Sequence, residues 1–395
     1  MLADKRALGV VLAAIGAFIE LYVTQALLPL LTHEFDATAT EVSWTVSAAT
    51  LAVALTAPLS GLAADAIGRK RIIVTAMFGL VVPTMMAGFA HSLGMLVFWR
   101  FVQGLLLPPI FAVTVAYVGE EFAGSATAMT GLYVAASGVG GFLSRFLSGL
   151  LAQSFGWRAA FWGLAVVTLA CASGSALFMP RERRFAKSGG LAPSFRFMAA
   201  NLRSPRLIAT YAVGFGVLFS FVGVFTYINF VLAAPPYSLS TGALGTIFVV
   251  YLVGVVATPL TGRLVARLGR SRLVAGAAAF WVAGLAMTLA PSIVLILLGL
   301  AVCVTCGFLC QSCATSYVAV TAVQGRSSAV GLYVSFYYLG GALGAILPGF
   351  AWDLAGWPGC VATTMVAVVL LATFALLFWE RDQRAPDPPT AAPEE

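Results

Sequence analysis

The chain has 395 residues, of which 61% are hydrophobic and only 9% charged, and it carries a formal net charge of +7. A mean hydropathy of +0.97 exceeds what a soluble core could hide, so a water-soluble fold is excluded. The apolar runs are continuous rather than alternating, which excludes a transmembrane β-barrel as well.

An apolar stretch of about 20 residues crosses the hydrocarbon as a helix, and such stretches recur from end to end. They predict twelve spans, over 8–31, 42–62, 72–90, 94–117, 127–152, 158–179, 207–232, 242–264, 273–290, 292–317, 328–351 and 358–379. Lys5 and Arg6 precede the first run as they would a signal peptide. That run is longer than an h-region of roughly 7 to 15 residues, and Glu20 interrupts it, so it reads as a retained helix.

Between the second and third spans lies "GLAADAIGRKR", residues 61–71, and "GRLVARLGRSR" answers it at 262–272 with Ala266 where Asp65 stands. Numbering the loops alternately puts every lysine and arginine except Arg100, Arg145 and Arg158 on one side. The positive-inside rule then places both termini in the cytoplasm of a plasma (inner) membrane protein and accounts for the net charge without nucleic acid. Anchoring explains the arginines of the two basic loops. It does not explain Asp65.

The chain also repeats itself. "GLYV" begins at 131 and 331, "GG" at 140 and 340, and "GW" at 156 and 356, two hundred positions apart. This divides the sequence into a first six-helix half, 1–180, a cytoplasmic linker, 181–206, a second half, 207–380, and a cytoplasmic tail, 381–395. The linker reads as flexible around Gly189 and Gly190. Glycines such as Gly131, Gly140, Gly340 and Gly349 would let helix backbones approach where lipid supplies no hydrophobic drive, as static packing or as faces that slide.

Twelve helices in two parallel halves with "GLAADAIGRKR" after the second helix resemble the major facilitator superfamily, whose signature there is Gly-x-x-x-Asp-x-x-Gly-Arg-Lys/Arg. "RFVQG", Arg100 to Gly104, is similar to the Arg-x-x-Gln-Gly pattern of proton-coupled members. "LYVTQALLPLL", residues 21–31, resembles the sugar-efflux-permease-like branch of the drug and metabolite proton antiporters. The Gly-Pro pair usual in the fifth helix of antiporters is replaced by Ser137 and Gly138. The resemblance implies an all-α fold whose two halves rock about a central site to give alternating access. It also implies that Gly61, Asp65, Gly68, Arg69 and Lys70 form a cytoplasmic gate. There Asp65 would latch onto a helix N-terminus of the other half, against the simpler reading of a local cap or an ion pair with Arg69.

Charge deep in the spans is confined to Glu20, Arg100 and Arg145, each costing about 2.5 to 3.5 kcal/mol unless paired or hydrated. A rise of about 1.5 Å per residue puts all three within roughly 9 to 17 Å of the outer surface, near enough to form one cluster. Glu20 is the expected proton carrier and Arg100 its coupling partner, with a static ion pair as the alternative. Arg145 joins the cluster or snorkels. Gln25, Gln103, Thr226, Tyr227, Asn229 and Gln311 are expected to line the cavity, because helices 1, 4, 7 and 10 do so in the superfamily.

Cys303, Cys306, Cys310 and Cys313 have repeated CxxC spacing, but on a helix that spacing makes a single stripe rather than a converging tetrahedral site, so no metal is expected. No phosphate-binding Gly-x-x-x-x-Gly-Lys-Ser/Thr loop is present, which excludes an ATPase of this type. The sequence thus describes a secondary transporter rather than an enzyme. It is expected to be a monomer without cofactors, whose partners are a small-molecule substrate, protons and the bilayer. Proton-coupled efflux of a small organic or amphipathic compound is the first reading. The alternatives are a proton-coupled importer of a small anionic metabolite and a transport-dead receptor or lipid scramblase on the same scaffold.

Overall fold

The computed structural model describes residues 5–122, 125–180, 191–322 and 325–379, apart from the side chains at 62, 65, 66, 126, 127 and 191–195. Among the described residues the regular structure is entirely helical. The first span is α1 (Lys5–Leu21), a 3₁₀ turn (Gln25–Leu27) and α2 (Leu28–Phe35). The next spans are α3 (Ala39–Ile67), α4 (Arg69–Gly88), α5 with α6 (Leu93–Leu106, Pro108–Glu121), α7 (Ala126–Phe155) and α8 (Trp157–Phe178). After α9 (Leu191–Asn201) come α10 (Pro205–Ala233) and an eighth span made of α11 (Thr241–Ile247), α12 (Val250–Ala257), a 3₁₀ turn (Thr258–Leu260) and α13 (Thr261–Leu268). Then follow α14 (Arg270–Met287), α15 (Ile293–Thr321) and α16 (Arg326–Trp379).

Among the described residues, ten helical stretches are long and apolar enough to cross a membrane. One of them, α16, is two arms joined at Gly356, where φ is 59° and ψ −146°. Both arms lie on α10, since Cβ atoms at Gly340 and Gly216 would meet Phe215 and Leu371 respectively. The eighteen-residue α14, with Arg270 and Arg272 in its first turn, completes the twelve. Helix starts follow the sequence. Thr38 and Glu41 form a reciprocal capping box, and Ser92 and Ser240 accept from Met95 and Ala243 N–H groups.

Three features depart from continuous spans. The fourth breaks at Leu107, because Pro108 has no N–H and its ring excludes the carbonyl of Gly104. The eighth breaks at Phe248 and again over Thr258–Leu260, where Pro259 stands. Part of the expected linker is helical, and this α9 packs on the start of α16. Gly189 and Gly190, residues 181–188 and the tail from 380 lie outside the described residues.

Packing repeats with the sequence offset. A Cβ on Gly140 would strike the backbone of Ile15, and one on Gly340 the backbone of Phe215. A Cβ on Gly149 would strike Thr241, and one on Gly349 would strike Thr40. The last two pairs join the first six spans to the last six, α7 against α11 and α3 against α16. Thr40 donates to Asp353 at 3.0 Å, Tyr227 donates to the Ala345 carbonyl at 2.8 Å beside Ser43, and Gln153 accepts from the Gly242 N–H at 3.0 Å. These bonds lie at the end of the bundle opposite the basic loops. Towards the basic end α7 parts from the eighth span, whose α13 packs on α14 and α15.

Candidate functional site

The charged residues within the spans sit on two sides of a break in the first span. α1 stops at Leu21, and residues 22–24 form a turn. In an unbroken helix the Gln25 N–H would bond to the Leu21 carbonyl. Here it donates to Tyr22 at 3.0 Å, and Arg100 of α5 takes the Leu21 carbonyl through Nη2. Arg100 also donates from Nη1 to the Glu20 carbonyl at 2.8 Å and from Nε to the Thr45 carbonyl of α3 at 3.2 Å. The guanidinium therefore caps α1, satisfying carbonyls that the break orphans and setting positive charge at the negative end of a helix dipole. Hydrogen bonds to a charged group contribute about 1.5 to 3 kcal/mol each.

The Glu20 carboxyl has different partners. Oε1 accepts from Thr168 of α8 at 2.6 Å, and Oε2 accepts from Gln103 Nε2 at 3.2 Å. Gln103 also donates to Thr84 of α4 at 2.8 Å and accepts from Arg100 Nη1 at 2.6 Å. Its amide stands between acid and guanidinium, and all five side chains are buried. Among the described residues Glu20 and Arg100 form no direct ion pair, so the static pair is replaced by a relay. Gln103, expected on the cavity wall, lies inside the first six spans, one turn along α5 from Arg100.

Arg145 does not join this cluster. Its guanidinium carbon lies 4.4 Å from the ring centroid of Tyr22, 4.6 Å from that of Phe248 and 4.9 Å from that of Tyr251. Such stacking contributes about 0.5 to 2 kcal/mol per ring. Nε donates to Gln25 Oε1 at 2.8 Å and Nη1 to the Gly141 carbonyl at 2.6 Å. Gln25 in turn donates to Thr226 of α10 at 3.3 Å. Arg145 is 2% exposed, and no carboxylate pairs with it among the described residues. Tyr22 projects from the break in the first span, and Phe248 lies at the break between α11 and α12. Two discontinuous helices thus converge on one buried cation.

The other expected wall residues divide. Gln25 and Thr226 bridge the two sets of helices, whereas Tyr227 belongs to the seam with α3 and α16. Asn229 turns back on its own helix, donating to the Phe225 carbonyl at 2.6 Å. Gln311 is half-buried on α15 and makes no side-chain hydrogen bond among the described residues. The four cysteines of α15 are buried along it.

At the basic end, Gly68 turns the chain from α3 to α4 with φ 103°, and Gly61 is exposed with open space beside it. Arg69 forks onto the Glu120 carboxylate of α6, tying the loop to its own half. Lys70 is half-buried at the start of α4. The Asp65 side chain, and with it the expected latch, lies outside the described residues.

Sequence reasoning missed Thr84, Thr168, Tyr22, Phe248 and Tyr251. The threonines carry no signal in an apolar run. Tyr22 and Tyr251 do, because tyrosines concentrate at span ends and these two lie within theirs.

The sequence matches the family model described as Major Facilitator Superfamily over residues 10–325 and 237–395. It is 31% identical over 372 residues to an uncharacterized transporter of Buchnera aphidicola subsp. Schizaphis graminum, covering 94% of this chain and 89% of that one. It is 31% identical over 371 residues to the inner membrane transport protein YnfM of Escherichia coli, covering 91% and 88%. A solved structure of a bacterial homologue of the human lysosomal transporter Spinster, inward-facing and unoccupied, aligns with a TM-score of 0.78 at 16% identity, over 97% of this chain and 98% of that one.

Proposed function

This chain belongs to the major facilitator superfamily, and from that premise we propose that it exports a small organic or amphipathic compound in exchange for protons, with Glu20 carrying the proton. The observation that carries the reading is the chain from the Glu20 carboxyl through Gln103 to Arg100, which ends on the carbonyls of the broken first span. A proton-driven transporter needs a titratable group whose surroundings can change. Glu20 is buried, and its carboxyl is held by two neutral donors rather than locked to a cation.

Protonation removes the charge that orients the Gln103 amide, and through that amide it loosens the grip of Arg100 on the Glu20 and Leu21 carbonyls. The same break carries Tyr22 and Gln25 to Arg145. A proton on one face of the first span thereby alters a site on the other face. Residues 1–180 and 207–380 are the bodies that rock, joined by 181–206, with contact moving from the α7–α11 and α3–α16 seam towards the gate at residues 61–71. The basic end faces the cytoplasm. A reporter fused after residue 265 should be cytoplasmic, and an external reading would reverse the scheme.

The reading is tested by adding solutes from a panel to proteoliposomes that enclose a pH-sensitive dye. Outward solute movement accompanied by inward proton movement is expected. Movement of both in one direction, or solute flux indifferent to a pH gradient, would overturn antiport.

A further inference from the structure

The cage around Arg145 is more than a way to hide a charge. Of the three guanidinium nitrogens, Nε and Nη1 are engaged by Gln25 and Gly141, while Nη2 donates to nothing among the described residues. The hydroxyls of Tyr22, Tyr251, Tyr337 and Tyr338 likewise make no hydrogen bond among the described residues. They are not orphans sealed in packing, as the Tyr211 hydroxyl is. Tyr337 and Tyr338 meet edge to face with ring centroids 5.4 Å apart, and Phe111 lies 5.7 Å from Tyr338. One unpaired positive charge and one open N–H edge meet the phenols of Tyr22 and Tyr251 between α7, the first span and the eighth span, and Tyr337 and Tyr338 of α16 interact electrostatically with Tyr22.

From this geometry we infer that Arg145 anchors an aromatic monocarboxylate, the transported solute, through Nη2 and the neighbouring tyrosine hydroxyls. A single cation without an acid selects a monoanion. The planar fork suits a carboxylate oxygen, and the aromatic walls suit a flat apolar body. Binding also completes the site, because a buried charge with an incomplete donor set gains most from an added acceptor. Breaks in spanning helices mark substrate sites in transporters of several folds, and two breaks meet here. The residue two hundred positions on is Ala345, so the anchor belongs to the first half alone. The inference rests on the chain being a transporter but not on Glu20.

The test uses the purified full chain in lipid nanodiscs at constant pH, with 2-naphthoate as probe and 2-naphthamide as its uncharged match. The acid should bind at least tenfold more tightly than the amide. Arg145→Gln should remove that preference, and Arg158→Gln, at a part-exposed arginine paired with Glu34 away from the cage, should keep it. Equal binding of acid and amide to the native protein would overturn the assignment, as would an undiminished preference in a folded Arg145→Gln protein. If that variant fails to fold, the native protein decides through phenylglyoxal modification followed by peptide mass spectrometry. Naphthoate should protect Arg145 and leave the surface arginines reactive, whereas absence of protection at Arg145 would contradict the proposal. Solute flux by the native protein that is indifferent to a pH gradient, with acid selectivity intact, would refute proton coupling alone.

Discussion

Gln103 holds three groups at once, the Glu20 carboxylate, the Thr84 hydroxyl and an Arg100 amino group. Leucine in its place would cost each of the three one buried hydrogen bond, although Thr168, Leu80 and the helix carbonyls remain as their other partners, and each lost bond costs about 1 kcal/mol. Gln103→Leu should therefore lower unfolding stability in detergent by roughly 3 kcal/mol. Glu20→Gln keeps an acceptor for Thr168 and loses only the bond from Gln103, so its cost should be about 1 kcal/mol. Equal losses for the two would mean that the amide is not the hub. Arg100 and Glu20 were legible in the sequence because isolated charges in apolar runs are conspicuous. Their indirect connection was not, because a carboxylate and a guanidinium at similar depth suggest a direct pair, and only the third dimension reveals the glutamine between them.

The break in the first span is an element-scale feature imposed from outside the element. The segment "ELYVTQ" has no proline or glycine to stop a helix, and α1 ends where a guanidinium eighty positions away claims its carbonyls. That is why periodicity and composition located every span to within a few residues yet predicted this one as continuous, whereas the break after α5 at least has Pro108 to announce it. Arg100→Lys tests the cause. One ammonium lacks the planar fork that reaches the Glu20, Leu21 and Thr45 carbonyls and Gln103 together. Deuterium uptake over residues 20–27 should rise several-fold while that over 140–155 stays unchanged. Uptake in the first segment equal to that of the native protein would show that the turn forms without Arg100. The rings around Arg145 were illegible for a related reason, since two of the three come from the eighth span, about a hundred positions further along the chain.

Across the whole molecule, the repeat read from "GLYV" and "GG" reappears as paired contacts, Gly140 on Ile15 with Gly340 on Phe215, and Gly149 on Thr241 with Gly349 on Thr40. The chemistry does not repeat, because Glu20, Arg100 and Arg145 all lie in the first half. On the proposed reading the second half contributes walls and motion. Its seam with the first can be fixed in place. A Cβ on Gly242 would stand 3.9 Å from that of Gln153, within the range a disulfide spans. Gln153→Cys with Gly242→Cys should cross-link under oxidation, stop transport and recover on reduction. Full transport by the oxidised, cross-linked protein would contradict a rocking seam between α7 and α11.

Proton carriage by Glu20 is the claim on which the account turns, and the most direct measurement compares two activities of Glu20→Gln in proteoliposomes. Uptake driven by a pH gradient requires net proton movement, whereas exchange between equal pools of solute requires rocking alone. The account predicts that Glu20→Gln loses gradient-driven transport and retains exchange at close to the native rate. Gradient-driven transport at the native rate by a folded Glu20→Gln protein would contradict it.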